Sequence, residues 1–289
     1  MADASTEAFG RLMVELRPRL HRYCARMVGS AFDGEDVVQE ALAKAAEAFA
    51  GAGTIERPES WLFRIAHNTA LDALRRRRRQ AVVQSDADLD GLQDDASAAD
   101  ARVAAAASLS TFMHLPPTQR SAVVLVDVLG HSLAETADIL GVTVAAAKAA
   151  LHRARARLRE LAADAAPPRL ASAERDLLRL YADRFNARDF DALRALLAED
   201  VRLDLVNRRR IDGRKNVGVY FTRYAERSDW RVWPGIAEGR PAILVSNRAH
   251  DPDTIDYVVL LDWADGKIAA IRDFFYAPYV RESLEVRRL

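Results

Sequence analysis

The segment 115–159 constrains the fold most, because its helix-start and turn residues predict three short helices in close succession. Pro116 and Pro117 favour a helix start, since proline has no amide hydrogen to lose there. Gly141 follows apolar residues at i, i+3, i+4 and i+7 and suits a turn that requires positive φ. Thr143 is a natural N-cap for a third helix, whose basic side chains are Lys148, His152, Arg153, Arg155, Arg157 and Arg159. This order predicts a helix-turn-helix whose second helix enters a DNA major groove.

Charge is segregated along the chain although its total is zero. The 42 Lys and Arg residues balance 42 Asp and Glu residues, so the bulk charge predicts no nucleic-acid partner. The local pattern does predict one, because Arg75 to Arg79 are five consecutive arginines and 148–159 is a second basic block. The alternative for each block is an ordinary solvated helix surface.

Several classes of protein are excluded by composition. Cys24 is the only cysteine, which rules out internal disulfides and cysteine-only metal sites, and we expect neither a metal nor a cofactor. No apolar run approaches the roughly 18 residues of a membrane span, and the first residues lack the pattern of a signal peptide. We therefore expect a cytoplasmic protein with no membrane partner.

The first 84 residues predict an all-α domain. One amphipathic helix is expected from Phe9 to Met27, a break at Gly29–Ser30 and Gly34, a second helix at 36–49 and a third from Trp61. The second helix has a polar face that begins with Glu35, Asp36, Gln39 and Glu40. Acidic residues in the first turn of a helix complement its dipole. This explanation accounts for Glu35 and Asp36 better than for Gln39 and Glu40.

Two low-complexity linkers divide the chain, an acidic one at 85–107 and a proline-containing one at 165–171. After Ser172 the pattern changes to helices followed by strands, which predicts an α+β domain. We expect helices at 174–186, 190–197 and 217–224, a turn at 211–213, and strands from 201 and at 242–247, 256–263 and 268–276. Asp265-Gly266 between two alternating runs predicts a hairpin.

The first 164 residues resemble the extracytoplasmic-function (ECF) group of bacterial sigma factors. The matching phrases are Asp36-Val-Val-Gln-Glu, Trp61-Leu-Phe-Arg-Ile-Ala-His-Asn, Ala70-Leu-Asp-Ala-Leu-Arg-Arg-Arg, Leu115-Pro-Pro, Gly130-His-Ser-Leu-Ala-Glu-Thr-Ala and Lys148 to Arg155. Residues 172–289 resemble the SnoaL-like, NTF2-like cone fold, which some sigma factors carry as an extension. The resemblance implies a multidomain chain with two all-α sigma domains, the second with the helix-turn-helix, and an α+β cone. The implied boundaries are 1–84 for sigma region 2, 108–164 for sigma region 4 and 172–289 for the cone.

The resemblance also implies partners and site residues. A sigma factor binds core RNA polymerase and directs promoter recognition, promoter melting and initiation. Asp36, Gln39 and Glu40 match the helix that docks on the clamp of the polymerase largest subunit, and the loop 51–60 matches the element that captures a flipped base. The residues that match −10 strand contacts are Arg64, His67, Asn68, Arg75, Arg76 and Arg77. Those that match −35 duplex contacts are Arg120, Thr143, Lys148, His152, Arg153 and Arg155.

Physical chemistry agrees with this division. An unpaired strand is held by cations and planar side chains, whereas a duplex suits a helix in the major groove with phosphate contacts. Trp61 is a candidate for base stacking, with a core position as the alternative. Ala147, Ala149 and Ala150 stand where many relatives have valine, serine and arginine, so we expect base readout to rest on fewer side chains.

The C-terminal domain has residues that suit a cavity. Asp204 and Asp273 lie on predicted strands among apolar neighbours, where burial raises a carboxyl pKa towards that of a general base. The candidate lining also includes Trp230, Trp263 and Tyr276. The alternative is that Asp273 pairs with an arginine and the aromatic residues are ordinary core.

We expect a regulator with a small ligand rather than an enzyme, because no complete acid–base set is present. Whether a separate anti-sigma protein exists stays open. Two rival functions are a stand-alone helix-turn-helix transcriptional regulator and a SnoaL-like cyclase or isomerase with a DNA-binding head. Only a sigma factor would start transcription with core polymerase at a defined site.

Overall fold

A computed structural model of the chain describes residues 2–49, 51, 55–80, 104, 107–161, 172–226, 228–251 and 253–289. The chain divides into two units, residues 1–165 and 166–289. The first is helical and the second combines helices with one sheet, which confirms the predicted fold class. The expected linker at 165–171 and nearly all of the one at 85–107 lie outside the described residues.

Three long helices begin the first unit: α1 (Ala2–Val28), α2 (Ala31–Phe49) and α3 (Pro58–Gln80). The turn between α1 and α2 is confined to Gly29 and Ser30, and Gly29 has a φ of 77°. The predicted break at Gly34 was wrong, because this residue lies inside α2. A β-carbon at Gly34 would lie 2.6 Å from the α-carbon of Ala25, so glycine is required there for close packing of α1 and α2.

The helix-turn-helix segment consists of α4 (Leu109–Phe112), α5 (Pro117–Val123), a π-helical turn (Val124–Val128), α6 (Leu133–Leu140) and α7 (Val144–Leu161). The predicted turn at Gly141 and the predicted helix cap at Thr143 are confirmed. Gly141 adopts φ 67° at the end of α6, and the Thr143 hydroxyl accepts a hydrogen bond of 3.1 Å from the Ala146 amide at the start of α7. Ser132 and Glu135 add a capping box at the start of α6.

One continuous apolar core joins these two helical groups. Met27 of α1 and Phe63 of α3 belong to the same buried cluster as Leu125 and Leu151 of the helix-turn-helix segment. Helix α3 and the helix-turn-helix segment (109–161) therefore pack around a shared interior in the first unit.

The second unit is one seven-stranded sheet covered by helices. Its helices are α8 (Ser172–Asn186), α9 (Phe190–Ala195) and α10 (Arg214–Ala225), with a 3₁₀ turn at Pro278–Ser283. The strands are β1 (Leu197–Leu205), β2 (Arg209–Asp212), β3 (Trp230–Ala237), β4 (Arg240–Asn247), β5 (Tyr257–Ala264), β6 (Lys267–Asp273) and β7 (Val286–Arg288), in the spatial order β2-β1-β6-β5-β4-β3-β7. β1 pairs with β6 in parallel, and the other pairs are antiparallel.

Several sequence-based predictions about this unit need correction. The helix predicted at 190–197 ends at Ala195, and the strand predicted from 201 already begins at Leu197. β3 was missed because Pro234 and Gly235 weaken a strand pattern. Residues 211–212 belong to β2 rather than to a turn, since they pair with Leu203 and Arg202 of β1. β6 ends at Asp273 instead of continuing to 276, and the chain turns there.

Candidate functional site

The predicted polymerase-binding residues share one face of α2. Asp36 is exposed, and Gln39 and Glu40 follow at i+3 and i+4, which places all three on the same side of the helix. The Gln39 amide donates a 3.4 Å hydrogen bond to the buried Glu35, which pairs with Arg17 of α1. The stretch thus combines an inward-facing carboxylate that joins α1 to α2 with an outward-facing polar surface.

Glu40 is already paired with cations of the same unit. Its carboxylate accepts from Arg76 at 2.7 Å and lies 2.7 Å from the ammonium of Lys44. These partners, Arg76 first, lower the pKa of Glu40. The structure therefore brings together one residue predicted to bind polymerase and one predicted to bind DNA.

The residues predicted to hold the −10 strand lie in three different environments. Asn68 is exposed, whereas Arg64 donates to the Asp138 carboxylate of α6 at 2.6 Å and to its carbonyl oxygen at 2.8 Å. His67 is buried with its Nδ1 2.8 Å from the Tyr23 hydroxyl, and burial lowers its pKa to about 4. A neutral imidazole that shares a hydrogen bond with a tyrosine hydroxyl in the core has no route to a DNA strand in this arrangement.

The arginines at the end of α3 are exposed but paired. Arg75 lies 3.0 Å from Asp72, and Arg77 donates to the Val28 carbonyl at 2.9 Å and to Asp33 at 2.5 Å. Exposed ion pairs contribute about 0–1 kcal/mol. A phosphate can therefore replace these carboxylates at low cost.

Two of the predicted −35 residues are internal. Arg120 is buried and donates to the carbonyl oxygens of Met27, Leu115 (2.8 Å) and Met113 (3.3 Å), and burial lowers its pKa to about 10. Arg155 forms a two-point ion pair with Asp127 at 2.8 and 2.6 Å. Both guanidinium groups hold helices together in this structure.

The other −35 candidates lie on α7 nearer to solvent. Thr143 and Lys148 are exposed, and His152 and Arg153 are half-buried. Ala147 and Ala150 are buried in the core, so a small side chain at these two positions suits the packing of α7. Ala149 is half-buried, and the exposed neighbours of Thr143 are Val144, Ala145 and Ala146.

The predicted base-capture loop 51–60 is shorter in the structure, because α3 begins at Pro58, and its residues 52–54 lie outside the described residues. Trp61 is half-buried and packs edge-on against Phe9, with ring centroids 5.9 Å apart. The ring of Phe9 in turn stacks on Phe49 at 4.0 Å. Trp61 thus belongs to the packing between α1 and α3, which was the alternative to base stacking.

The second unit encloses a cavity of about 230 Å³. Its lining residues are Leu205, Tyr220, Arg223, Tyr224, Glu226, Trp230, Asp273, Phe275 and Tyr276. Of the five predicted lining residues, the structure brings together Trp230, Asp273 and Tyr276. Asp204 instead lies 3.6 Å from Arg272, and Trp263 lines a separate groove beside α8.

Asp273 lies at the end of β6 and is 1% exposed. Its carboxylate accepts from Tyr220 (2.7 Å), from Tyr224 (3.3 Å) and from the Phe275 amide (2.8 Å). Burial raises the pKa of Asp273, and these hydrogen bonds oppose the rise. Tyr257, missed from sequence together with the other two tyrosines, lies with its hydroxyl 2.8 Å from that of Tyr224. The i, i+4 spacing of Tyr220 and Tyr224 on the predicted helix was the one sign of them.

The described residues form neither a metal-binding cluster nor a membrane-spanning helix. No group of three or more His, Cys, Asp or Glu side chains is arranged to hold a metal ion in the part of the chain that the structure describes. Among its helices, none is long and apolar enough to cross a membrane.

Comparison with known proteins assigns each domain. Family models match at residues 12–80 (Sigma-70 region 2), 109–158 (Sigma-70, region 4) and 178–271 (SnoaL-like domain). The chain is 30% identical to the ECF RNA polymerase sigma factor SigG of Mycobacterium tuberculosis over 94% of its own length and 82% of that protein.

Two solved structures are also similar to this chain. The M. tuberculosis extracytoplasmic function sigma factor SigJ is 22% identical, with 91% of this chain and 95% of that chain covered and a TM-score of 0.35. A putative ketosteroid isomerase from Kribbella flavida is 28% identical over 35% of this chain and 75% of its own, with a TM-score of 0.26.

Two helical sigma domains in this order, the second with a helix-turn-helix, define a sigma factor of the sigma-70 class. The chain belongs to the ECF sigma factors of RNA polymerase and carries a fused C-terminal SnoaL-like domain.

Proposed function

We propose that this chain binds core RNA polymerase through the polar face of α2 and directs it to promoters through two separate DNA-binding surfaces. The observation that carries this proposal is the position of Asp36, Gln39 and Glu40 on one face of α2, directed away from the core. The inward side of the same helix, with Glu35, accounts for packing. On the outward side, Asp36 is exposed and Glu40 pairs with the exposed cations Arg76 and Lys44, so this polar surface is accessible to a partner protein. The site of action is the cytoplasm, where polymerase and promoter DNA meet.

The −10 surface consists of Arg64, Asn68 and the arginines 75–77. Their exposure supports the proposal, because cations and planar groups at a helix surface suit a single strand. His67 acts as a core residue beside this surface rather than as a DNA contact.

The −35 surface is the exposed start of α7. Thr143 and Lys148 can reach phosphates and base edges, and His152 and Arg153 extend the same helix. Arg120 and Arg155 contribute by positioning α5 and α7, since both are held by internal acceptors.

The packed arrangement of the first unit is a closed state in this proposal. Arg64 is engaged with Asp138 of the helix-turn-helix, and Arg120 of that segment is engaged with Met27 of α1. In this proposal the helix-turn-helix segment separates from α1 and α3 when the two DNA-binding surfaces engage the −10 and −35 elements. Polymerase would favour the open state by binding it more tightly than the closed one.

The SnoaL-like domain modulates this activity and performs no catalysis in the proposal. The buried carboxyl group that lines its cavity, Asp273, accepts hydrogen bonds from Tyr220 and Tyr224, which suits a ligand-binding role. Regulation through this domain does not depend on a separate anti-sigma protein. Run-off transcription with the full chain and with residues 1–164 tests the modulation, and equal transcript yields would contradict it.

Transcription in vitro with purified core polymerase tests the main proposal. We expect initiation from a defined start site, and we expect Asp36→Lys to weaken core binding at least tenfold. Glu15→Lys is the matched control, because Glu15 is an exposed carboxylate on α1 and the charge change is identical. Failure of the chain to bind core polymerase, or equal binding by the two variants, would refute the assignment.

A further inference from the structure

The cavity of the second unit has a polar base that consists of the Asp273 carboxylate and the groups that donate hydrogen bonds to it. Tyr220 and Tyr224 donate to Asp273, the Phe275 amide donates to the other carboxylate oxygen, and the Tyr257 hydroxyl lies within hydrogen-bond distance of Tyr224. Three donors directed at one carboxyl group is the arrangement that stabilises the ionised form. Burial acts in the opposite direction and raises the pKa of Asp273.

This carboxylate has no cationic partner in the protein. None of the Lys, Arg or His residues in the described part of the chain forms an ion pair with Asp273, and its pKa is set by burial and hydrogen bonds alone. The nearby arginines have other contacts, since Arg272 lies beside Asp204 and Arg208 lies over the ring of Tyr276 at 5.4 Å. A buried carboxylate without a counter-ion is costly, and a bound cation would remove that cost.

The walls of the cavity are aromatic. Phe275 packs edge-to-face against Trp230 (5.8 Å) and Tyr276 (4.9 Å), and Tyr220 and Tyr224 pack likewise at 5.0 Å. Aromatic faces carry negative quadrupole charge and attract cations within about 6 Å of the ring centre. At the rim, Arg223 and Glu226 are both exposed and balance each other in charge.

We propose that this cavity binds a small organic cation, an amine or quaternary ammonium with an apolar body, whose charged group lies against the aromatic walls and pairs with Asp273. The volume of about 230 Å³ is below the roughly 300–1,000 Å³ of drug-sized sites, so the ligand is small. A ligand that offers only a carbonyl oxygen fits less well, because the tyrosine hydrogens are already donated to the carboxylate. Nothing in this site depends on the polymerase or DNA surfaces of the first unit.

The test is titration of the full chain with three matched probes, followed by tryptophan fluorescence and calorimetry. Benzyltrimethylammonium is the cationic probe, benzyl alcohol the neutral one and phenylacetate the anionic one, all at the same ionic strength. We expect saturable binding of the cation that is at least tenfold tighter than that of either other probe. Equal or tighter binding of the alcohol or of phenylacetate, or no binding of the cation at millimolar concentration, would overturn the proposal.

Variants locate the binding and control for folding. Asp273→Asn should weaken cation binding at least tenfold, whereas Asp204→Asn, the same change outside the cavity, should leave it unchanged. If Asp273→Asn fails to fold, Phe275→Leu provides the second measurement, because Phe275 is 37% exposed and its loss removes one aromatic face. We expect a several-fold loss for cation binding in that variant, and unchanged affinity would count against the site.

Discussion

The ion pair between Asp127 and Arg155 gives a sharp test of whether Arg155 positions the recognition helix or binds DNA. Asp127 lies in the π-helical turn and Arg155 on α7, so their two hydrogen bonds join this turn to the recognition helix. The change to make is Arg155→Met, which keeps the aliphatic length and removes the guanidinium.

The expected loss of stability follows from burial. The two side chains are 12% and 2% exposed, and removal of one partner of a buried pair costs about 3–5 kcal/mol, because it leaves the other charge unpaired. At about 2–4 °C per kcal/mol for a unit of this size, even 3 kcal/mol lowers Tm by about 6–12 °C. Asp127→Leu should be similarly destabilising, and the double variant should recover much of the loss, since an apolar pair replaces the ionic one.

Two assays separate stability from DNA binding. Thermal unfolding of the full chain gives the Tm of each variant, and binding of the holoenzyme to promoter duplex at several salt concentrations gives the salt slope. A lost phosphate contact reduces that slope by about one. We expect the reduction for Lys148→Met, the exposed control on the same helix, and no reduction for Arg155→Met.

The opposite pattern would refute the structural interpretation of Arg155. It would consist of Tm values within about 1 °C of the unsubstituted chain for both single variants, with a salt slope for Arg155→Met that falls as it does for Lys148→Met.

Three further outcomes follow from the first unit. The pKa of His67 falls from 6.5 in the unfolded chain to about 4 in the folded chain, so its contribution to stability is complete above pH 6.5 and is lost as the pH falls towards 4. Urea titrations should show that the free energy of unfolding is about 2 kcal/mol lower at pH 5 than at pH 7 because of this group. A pH dependence that is undiminished in His67→Gln would contradict this prediction. Asp138→Asn releases Arg64 from an exposed ion pair, so the free energy of unfolding should change by about 1 kcal/mol or less, while the affinity of the full chain for −10 single-stranded DNA rises. Unchanged affinity would show that Arg64 does not belong to the −10 surface. Arg120→Met leaves three carbonyl oxygens without their donor, so urea titration should show a free energy of unfolding that is lower by at least about 2 kcal/mol. If Arg120 only bound DNA, the free energy of unfolding would not change.

Local patterns in the sequence were sufficient for the elements that depend on neighbours along the chain. The helix start at Pro117, the αL turn at Gly141, the Thr143 cap and the hairpin at Asp265-Gly266 were predicted correctly because each arises from a few consecutive residues. The sequence of patterns along the chain was also enough for the fold class. Gly34 shows the limit, since a glycine that permits close helix packing looks the same in sequence as a glycine that ends a helix.

The candidate sites depended on contacts between distant segments. Arg120 bonds to a carbonyl 93 positions away, Arg64 to a carboxylate 74 positions away, and Tyr220 to Asp273 across 53 positions. Nothing in the local pattern distinguishes an arginine that faces DNA from one that satisfies buried carbonyl groups, because both occur at the same helical spacing. The sequence by itself therefore determined the helices, the caps and the family, whereas only the tertiary structure decided which charged groups stay exposed, since burial of a polar group requires partners that folding brings from elsewhere in the chain.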